Sequence, residues 1–240
     1  MKNLNWIKEN YFAHRGLHTA TVPENSTQAF LDAVALGFDI EMDIRLTKDE
    51  QIVIIHDSNL TRLCNVNMKV ENSTYDEIKE LNLLNSKEHI PLFTDVLDLL
   101  PKDTKILIEL KPSNNHKKLV SRFLKVMTKY NFKYAIHSFD IRIVNDFRKM
   151  KPEVIRGHIS SMFSDKKNPV YFFLRHLLLN PIIKPDFINY HFEDLPRKKL
   201  DKLHQKGMMI LSYTARSQAD LDFVRDRYDN AVFEGFIPKK

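Results

Sequence analysis

The segment FDIEMDIRL, residues 38–46, alternates apolar and charged side chains. In a strand, successive side chains point to opposite faces. Phe38, Ile40, Met42 and Ile44 would share one face, and Asp39, Glu41, Asp43 and Arg45 the other. Glu41 and Asp43 would then stand with Cα atoms roughly 7 Å apart. Carboxylates that near repel unless a proton or a cation lies between them. An antiparallel strand with one face in water produces the same alternation, so the segment alone leaves both readings open. ILIELK, 106–111, repeats the theme by placing Glu109 and Lys111 on one face. Two histidines each follow an apolar run, His14 in YFAH and His56 in IVIIH, and Asp57 follows His56. A lone histidine in such a place is usually a hydrogen-bonded structural residue. Its unperturbed pKa nonetheless lies nearest neutrality, which makes both candidates for proton transfer. Arg15 and Lys111 offer fixed positive charge for a phosphate.

Strand-like runs recur along the chain: 11–16, 37–46, 104–111, 133–139, 153–160, 185–191, 208–215 and 230–236, eight in all. Amphipathic helical patterns lie between most of them. NSTQAFLDAVALG carries Asn25 or Ser26 as a cap and Gly37 as a stop. Others are HKKLVSRFLKVMTKYN, DIRIVNDFRKMKP, LPRKKLDKLHQKG and SQADLDFVRDRY. Strands alternating with helices predict a parallel sheet, and eight such units in 240 residues predict a TIM (β/α)8 barrel filling residues 1–240 as a single domain. A doubly wound open sheet is the alternative, but no GxGxxG follows the first strand and the chain has only five glycines. One spacing is irregular. From Thr47 to Asp103 lie 57 residues, including a hairpin-like QIVIIHD and two short helical patterns ending at TDVLDLLP. This predicts a small insertion after strand 2, at about 47–103.

In a parallel barrel both faces of every strand are covered, so a charged strand face cannot simply look at water. Active sites of this scaffold lie at the C-terminal ends of the strands. Glu41, Asp43 and Glu109 converging there make an oxygen-rich site suited to a hard divalent cation. Each carboxylate taken singly could instead form a buried salt bridge with Arg45, Lys111 or a neighbour.

The composition is that of a globular protein, 43% hydrophobic and 28% charged. The net charge of +6 favours anionic substrates or an anionic surface. Its lysines and arginines are scattered and no nucleic-acid-binding motif is present, so nucleic acid is not an expected partner. A single cysteine, Cys64, excludes an internal disulfide framework and a multi-cysteine zinc site, and is expected to be inert. No stretch approaches the roughly 20 apolar residues of a membrane span, and the N-terminus has no signal-peptide-like run, so the expected location is cytoplasmic. VYFFLRHLLLNP, 170–181, could dock to a bilayer or an acyl chain. A barrel helix is the favoured reading there, because it falls where helix five should be, and peripheral membrane contact is not favoured.

Several stretches together resemble the glycerophosphodiester phosphodiesterase family: AHRG (13–16), PENS (23–26), IEMD (40–43), VIIHDSNLTR (53–62), IPLFTDVLDLLP (90–101), IELK (108–111) and HSFD (137–140). They cover most of the first 140 residues in the family's order. The resemblance implies a TIM barrel that hydrolyses phosphodiesters with Ca²⁺ or Mg²⁺. It implies Glu41, Asp43 and Glu109 as metal ligands, and His14 and His56 as general acid and base. Arg15 would contact phosphate, Lys111 the substrate or its phosphate, and Glu24 would shape the site. The expected substrate is a glycerophosphodiester such as glycerophosphocholine, cleaved to glycerol 3-phosphate and an alcohol. Either water or the glycerol 2-hydroxyl would be the nucleophile. The insertion corresponds to the region that carries the family's differences in substrate recognition. The second half departs from the pattern: Tyr213-Thr214 stands where a Trp-Thr pair is common, and DNAVFEGFIP replaces a DGIITDxP-like end. Tyr213 retains an aromatic surface for substrate and adds a hydroxyl. Two other readings stay open, a lysophospholipase D-like activity on lysophospholipids and a non-catalytic binding barrel.

Overall fold

The computed structural model describes residues 2–164 and 166–239. The chain forms two compact units. One is Phe12–Tyr134; the other joins the residues up to Tyr11 to those from Ala135 onward. The N-terminal helix α1 (Trp6–Glu9) belongs to the second unit. Asn230 holds it there, donating from Nδ2 to the carbonyls of Ile7 at 2.6 Å and Asn10 at 2.8 Å.

The first unit runs β1 (Phe12–Ala13), α2 (Thr27–Ala35), β2 (Asp39–Leu46), β3 (Ile52–Ile54), α3 (Thr61–Cys64), α4 (Tyr75–Ile78), α5 (Phe93–Leu99), β4 (Lys105–Leu110) and α6 (His116–Met127). Strand β2 is parallel to β1 on one side and to β4 on the other, with Asp43 opposite Glu109. Both its faces are buried, and only Arg45 is partly open. The half-wet antiparallel reading of FDIEMDIRL is therefore wrong for residues 39–44. Only the far end, Ile44–Leu46, pairs antiparallel, with β3. That extension puts Glu41 and Asp43 in the middle of β2 rather than near its last residues, with Glu41 level with Leu107 and Asp43 with Glu109 of β4. Ser26 caps α2, its Oγ accepting from the Ala29 amide at 3.2 Å, and Ala29, Phe30 and Ala33 form the buried face.

The insertion lies between the end of β2 at Leu46 and the start of β4 at Lys105. It packs on itself: Val53, Ile55, Leu60, Leu63, Val70, Ile78, Leu83 and Ile90 make one buried apolar cluster. A loop region with its own core can hold side chains rigidly.

The second unit continues with β5 (Lys133–Ser138), α7 (Ile141–Met150), β6 (Ile155–Ser160), α8 (Val170–Arg175), α9 (Asn180–Ile183), β7 (Phe187–His191), α10 (Lys198–Gln205), β8 (Met209–Ala215), α11 (Gln218–Arg227) and β9 (Asn230–Phe233). Strands β5 to β9 pair in sequence order, all parallel. Short polar caps start two of these helices. Asp140 accepts from the Arg142 amide at α7, and Ser217 from the Asp220 amide at α11. The single helix expected over 170–181 is two short ones. Helix α8 stops at Arg175, Leu177 takes a φ of 53°, and α9 restarts with Pro181 in its first turn. Apart from β3, eight parallel strands alternate with helices, which is the (β/α)8-barrel class.

Candidate active site

The register of β2 on β4 sets the centre of the site. One carboxylate oxygen from each of Glu41, Asp43 and Glu109 lies within 4.8 Å of the others, and all three residues are buried. Oxygens about 2.4 Å from a common centre are at most about 4.8 Å apart, so this donor set fits a hard, oxygen-ligated divalent cation.

Two fixed cations share the cluster. Lys111 Nζ lies 2.6 Å from Glu109 Oε1 and 3.3 Å from Asp43 Oδ1. Arg15 Nε lies 3.1 Å from Asp43 Oδ2, and Arg15 Nη1 donates to Glu24 Oε1 at 2.7 Å. The backbone of Arg15 takes part as well, its amide donating to Glu41 Oε2 at 3.0 Å. This needs the turn after β1, where Arg15 has φ 57° and Gly16 φ 77°. Burial would raise the Asp43 carboxyl, but Lys111, Arg15, His56 and His14 together hold it well below the usual carboxylate range. Burial also works against charge on Lys111, and Asp43 and Glu109 outweigh it and raise the ammonium. The ion pairs thus keep each other charged in a dry setting.

Asn25 is a part of this frame that the sequence reading passed over as a cap. Its Nδ2 donates to Asp43 Oδ2 at 2.9 Å and its Oδ1 accepts from the Asp43 amide at 3.2 Å. It sits at φ 58°, a region where asparagine is enriched. That tolerance, inside the PENS stretch, was the available signal.

His56 is oriented from behind. Its Nδ1 lies 2.7 Å from Asp57 Oδ1. Arg62 Nε donates to Asp57 Oδ2 at 2.6 Å, while its two terminal nitrogens donate to Glu24 at 2.8 and 2.7 Å. Arg45, which stands on the polar side of β2, donates twice to the His56 carbonyl, at 2.9 and 2.7 Å. A continuous chain of contacts therefore runs from Arg15 through Glu24, Arg62 and Asp57 to His56. Burial lowers the His56 pKa, and Lys111 and Arg15 lower it further against the pull of Asp43. His14, half-buried after β1, is near enough to Asp43 to act on its charge. Arg62 and Arg45 were not among the sequence candidates. Arg62 closes the VIIHDSNLTR stretch, which was the only sign of it.

Eight of the nine sequence candidates belong to this one network: His14, Arg15, Glu24, Glu41, Asp43, His56, Glu109 and Lys111. The ninth, Tyr213, lies on β8 in the second unit. Its hydroxyl donates to the Ser160 carbonyl at 3.1 Å, and its ring stands edge-on to Phe139 and His191. Cys64 is half-buried, and burial pushes its thiol up to about 11, away from the thiolate form.

Buried carboxylates on the parallel strands β2 and β4, with fixed cations and two histidines in the adjoining loops, fit a (β/α)8-barrel phosphoric diester hydrolase. The chain belongs to the Glycerophosphoryl diester phosphodiesterase family, whose sequence profile matches residues 14–237. It is 35% identical over 162 residues to a glycerophosphodiester phosphodiesterase of Caldanaerobacter subterraneus, a match spanning 63% of this chain and 66% of that protein. It is 31% identical over 134 residues to a human lysophospholipase D, spanning 50% of this chain and 41% of that one. Among solved structures it is similar to an Oleispira antarctica phosphodiesterase in complex with the product sn-glycerol-3-phosphate. The TM-score is 0.82 at 18% identity, covering 96% of this chain and 94% of the other, and the likeness is one of fold. None of the described helices is long and apolar enough to cross a membrane.

Proposed function

We propose that this protein hydrolyses glycerophosphodiesters to glycerol 3-phosphate and an alcohol, with a divalent cation, Ca²⁺ or Mg²⁺, held by Glu41, Asp43 and Glu109. The observation that carries the reading is charge balance in the cluster. Three buried carboxylates face two fixed cations, Arg15 and Lys111, which leaves one net negative charge. A divalent cation turns that into one positive charge, and a diester monoanion neutralises it. The same cluster without a cation would repel its substrate.

When bound, the cation supplies electrostatic stabilisation of the extra negative charge on phosphorus. The chain's own residues do the rest. Arg15 and Lys111 bind and orient the phosphate, Arg15 through a guanidinium already fixed by Glu24 and Asp43. Of His14 and His56, one takes the proton of the attacking hydroxyl and the other returns a proton to the leaving alkoxide. Asp57 keeps the His56 ring in one orientation, so its Nε2 is the nitrogen available for proton transfer. Tyr213 contributes an aromatic surface for the alcohol portion.

The test is a panel of glycerophosphodiesters assayed with purified protein, with and without EDTA. EDTA is expected to abolish hydrolysis, and added Ca²⁺ or Mg²⁺ to restore it. Glu41→Gln should weaken cation binding roughly tenfold or more without unfolding the protein. Full activity in protein shown to be metal-free by elemental analysis overturns the reading. The human relative, a lysophospholipase D, favours a second substrate class for the same chemistry. A faster rate on lysophosphatidylcholine than on glycerophosphocholine would select it.

A further inference from the structure

Residues 166–184 carry an exposed apolar surface that the catalytic reading does not use. Val170, Phe172, Phe173, Leu178 and Ile182 are all open to solvent, Phe172 by 52% and Ile182 by 60%. The longer helix α6 behaves differently. In α6, Leu119, Val120, Phe123 and Met127 are buried while Lys117, Lys118 and Lys125 face outward. Here the inward positions are satisfied too, by Leu174, Leu177 and Ile183. The outward apolar residues are thus an addition to a completed core, not a displaced part of it. The segment is also held in place. Ser160 Oγ, the Tyr190 hydroxyl and Arg197 donate to the carbonyls of Leu174 and Arg175, and Lys199 to that of His176. Five exposed apolar side chains within one short segment fixed in this way mark an interaction site.

The charge around it identifies the partner. Between Asp165 and Asp186 the sequence contains Lys166, Lys167, Arg175 and Lys184 and no further Asp or Glu. Lys166, Lys167 and Lys184 are exposed and flank the apolar residues at both ends. Aromatic and aliphatic side chains between basic residues are the make-up of a surface that lies in the headgroup region of an anionic bilayer. The two signals add there: apolar burial and attraction to anionic lipid. A second copy of this chain fits worse, because symmetric pairing would bring these four cations against their own equivalents.

We infer that residues 166–184 form a peripheral docking surface for an anionic lipid bilayer. The inference is independent of which diester is cleaved. The test uses the full chain and large unilamellar vesicles of phosphatidylcholine, with or without about one third phosphatidylglycerol, read by co-sedimentation. The protein is expected to sediment with the anionic vesicles, and about tenfold less with pure phosphatidylcholine. Raising salt to about 0.5 M, where the Debye length is about 4 Å, should release most of it. The variant Phe172→Ser/Phe173→Ser/Ile182→Ser should bind about tenfold more weakly or less, with unchanged melting temperature and unchanged hydrolysis of a soluble diester. Lys166→Glu/Lys167→Glu/Lys184→Glu should lose the preference for anionic vesicles, which keeps the test open if the serine variant folds poorly. No binding to anionic vesicles at about 0.05 M salt overturns the inference. So does a serine variant that folds and binds like the parent. A concentration-dependent dimer in analytical ultracentrifugation, abolished by the serine variant, also overturns it.

Discussion

Asp57 touches no carboxylate of the central cluster, yet it decides how His56 points. Its two oxygens are divided between His56 Nδ1 and Arg62 Nε, so the imidazole is fixed by a partner that is itself fixed. Asp57→Asn keeps the shape and removes the charge that favours one tautomer. Turnover is expected to fall roughly tenfold to a hundredfold with KM nearly unchanged, because the phosphate contacts proposed for Arg15 and Lys111 do not involve Asp57. Steady-state kinetics on the best substrate of the panel check this; an unchanged kcat would remove Asp57 from the positioning of His56. Tyr213 belongs to a different question. Its hydroxyl donates to the Ser160 carbonyl, and its ring stands edge-on to Phe139 and His191. Tyr213→Trp is expected to alter the ratio of rates between small and bulky headgroups and to leave an artificial diester without glycerol nearly unaffected. An equal loss on every substrate would assign Tyr213 to catalysis or to folding instead.

At the scale of elements, the turn between β1 and α2 does two things at once. It aims the Arg15 amide at Glu41, and it brings Gly16 against α2. A Cβ on Gly16 would lie 2.6 Å from the Ala29 carbonyl carbon, and the residue has φ 77°. Neither backbone can yield without moving the turn or the helix. Gly16→Ala is expected to cost about 2–4 kcal/mol of stability and to lower activity as well, since Arg15 and His14 move with the turn. Differential scanning calorimetry should show a fall of about 5–10 °C in melting temperature. The insertion works at this scale too. Its private core of Leu60, Leu63, Val70 and Ile78 sets the base from which Asp57 and Arg62 reach back toward Glu24.

For the whole molecule, the buried histidine on β6 sets an acid limit. His158 is fully buried with Nδ1 2.7 Å from Asn180 Oδ1, and burial pushes its imidazole down to about 4. The unfolded chain takes up that proton near the ordinary value of 6.5, whereas the folded chain holds out to about 4. Above pH 6.5 neither state is protonated there and the histidine has no effect. As pH falls through 6.5 the unfolded state gains the proton first, so stability drops until both states are protonated below about pH 4. By pH 5 the loss is about 2 kcal/mol. Urea titrations at about pH 7.5 and 5 should show His158→Gln losing less stability across the interval than the parent, whatever its absolute stability, by about that amount. Equal losses would show that other groups govern the acid limit.

Local pattern settled a great deal. Strand and helix periods, caps such as Ser26, and the irregular spacing from Thr47 to Asp103 were readable because they depend on neighbours a few residues apart. The types and order of His14, Arg15, Glu41, Asp43, His56, Glu109 and Lys111 carried the family resemblance for the same reason. Other features depend on which strands become neighbours, and no short window contains that. Whether the polar face of FDIEMDIRL met water or other strands could not be read from that segment alone; the eightfold strand–helix alternation predicted burial, and β2 does lie between β1 and β4. Asn25 read as a cap because its partner, Asp43, is 18 residues away, and Arg62 was not a candidate because its partner, Glu24, is 38 residues away. The break at Leu177 and the outward turn of Phe172, Phe173 and Ile182 were hidden for a related reason. An apolar run announces burial, but only the packing of Leu174, Leu177 and Ile183 decides which of its residues the core has room for.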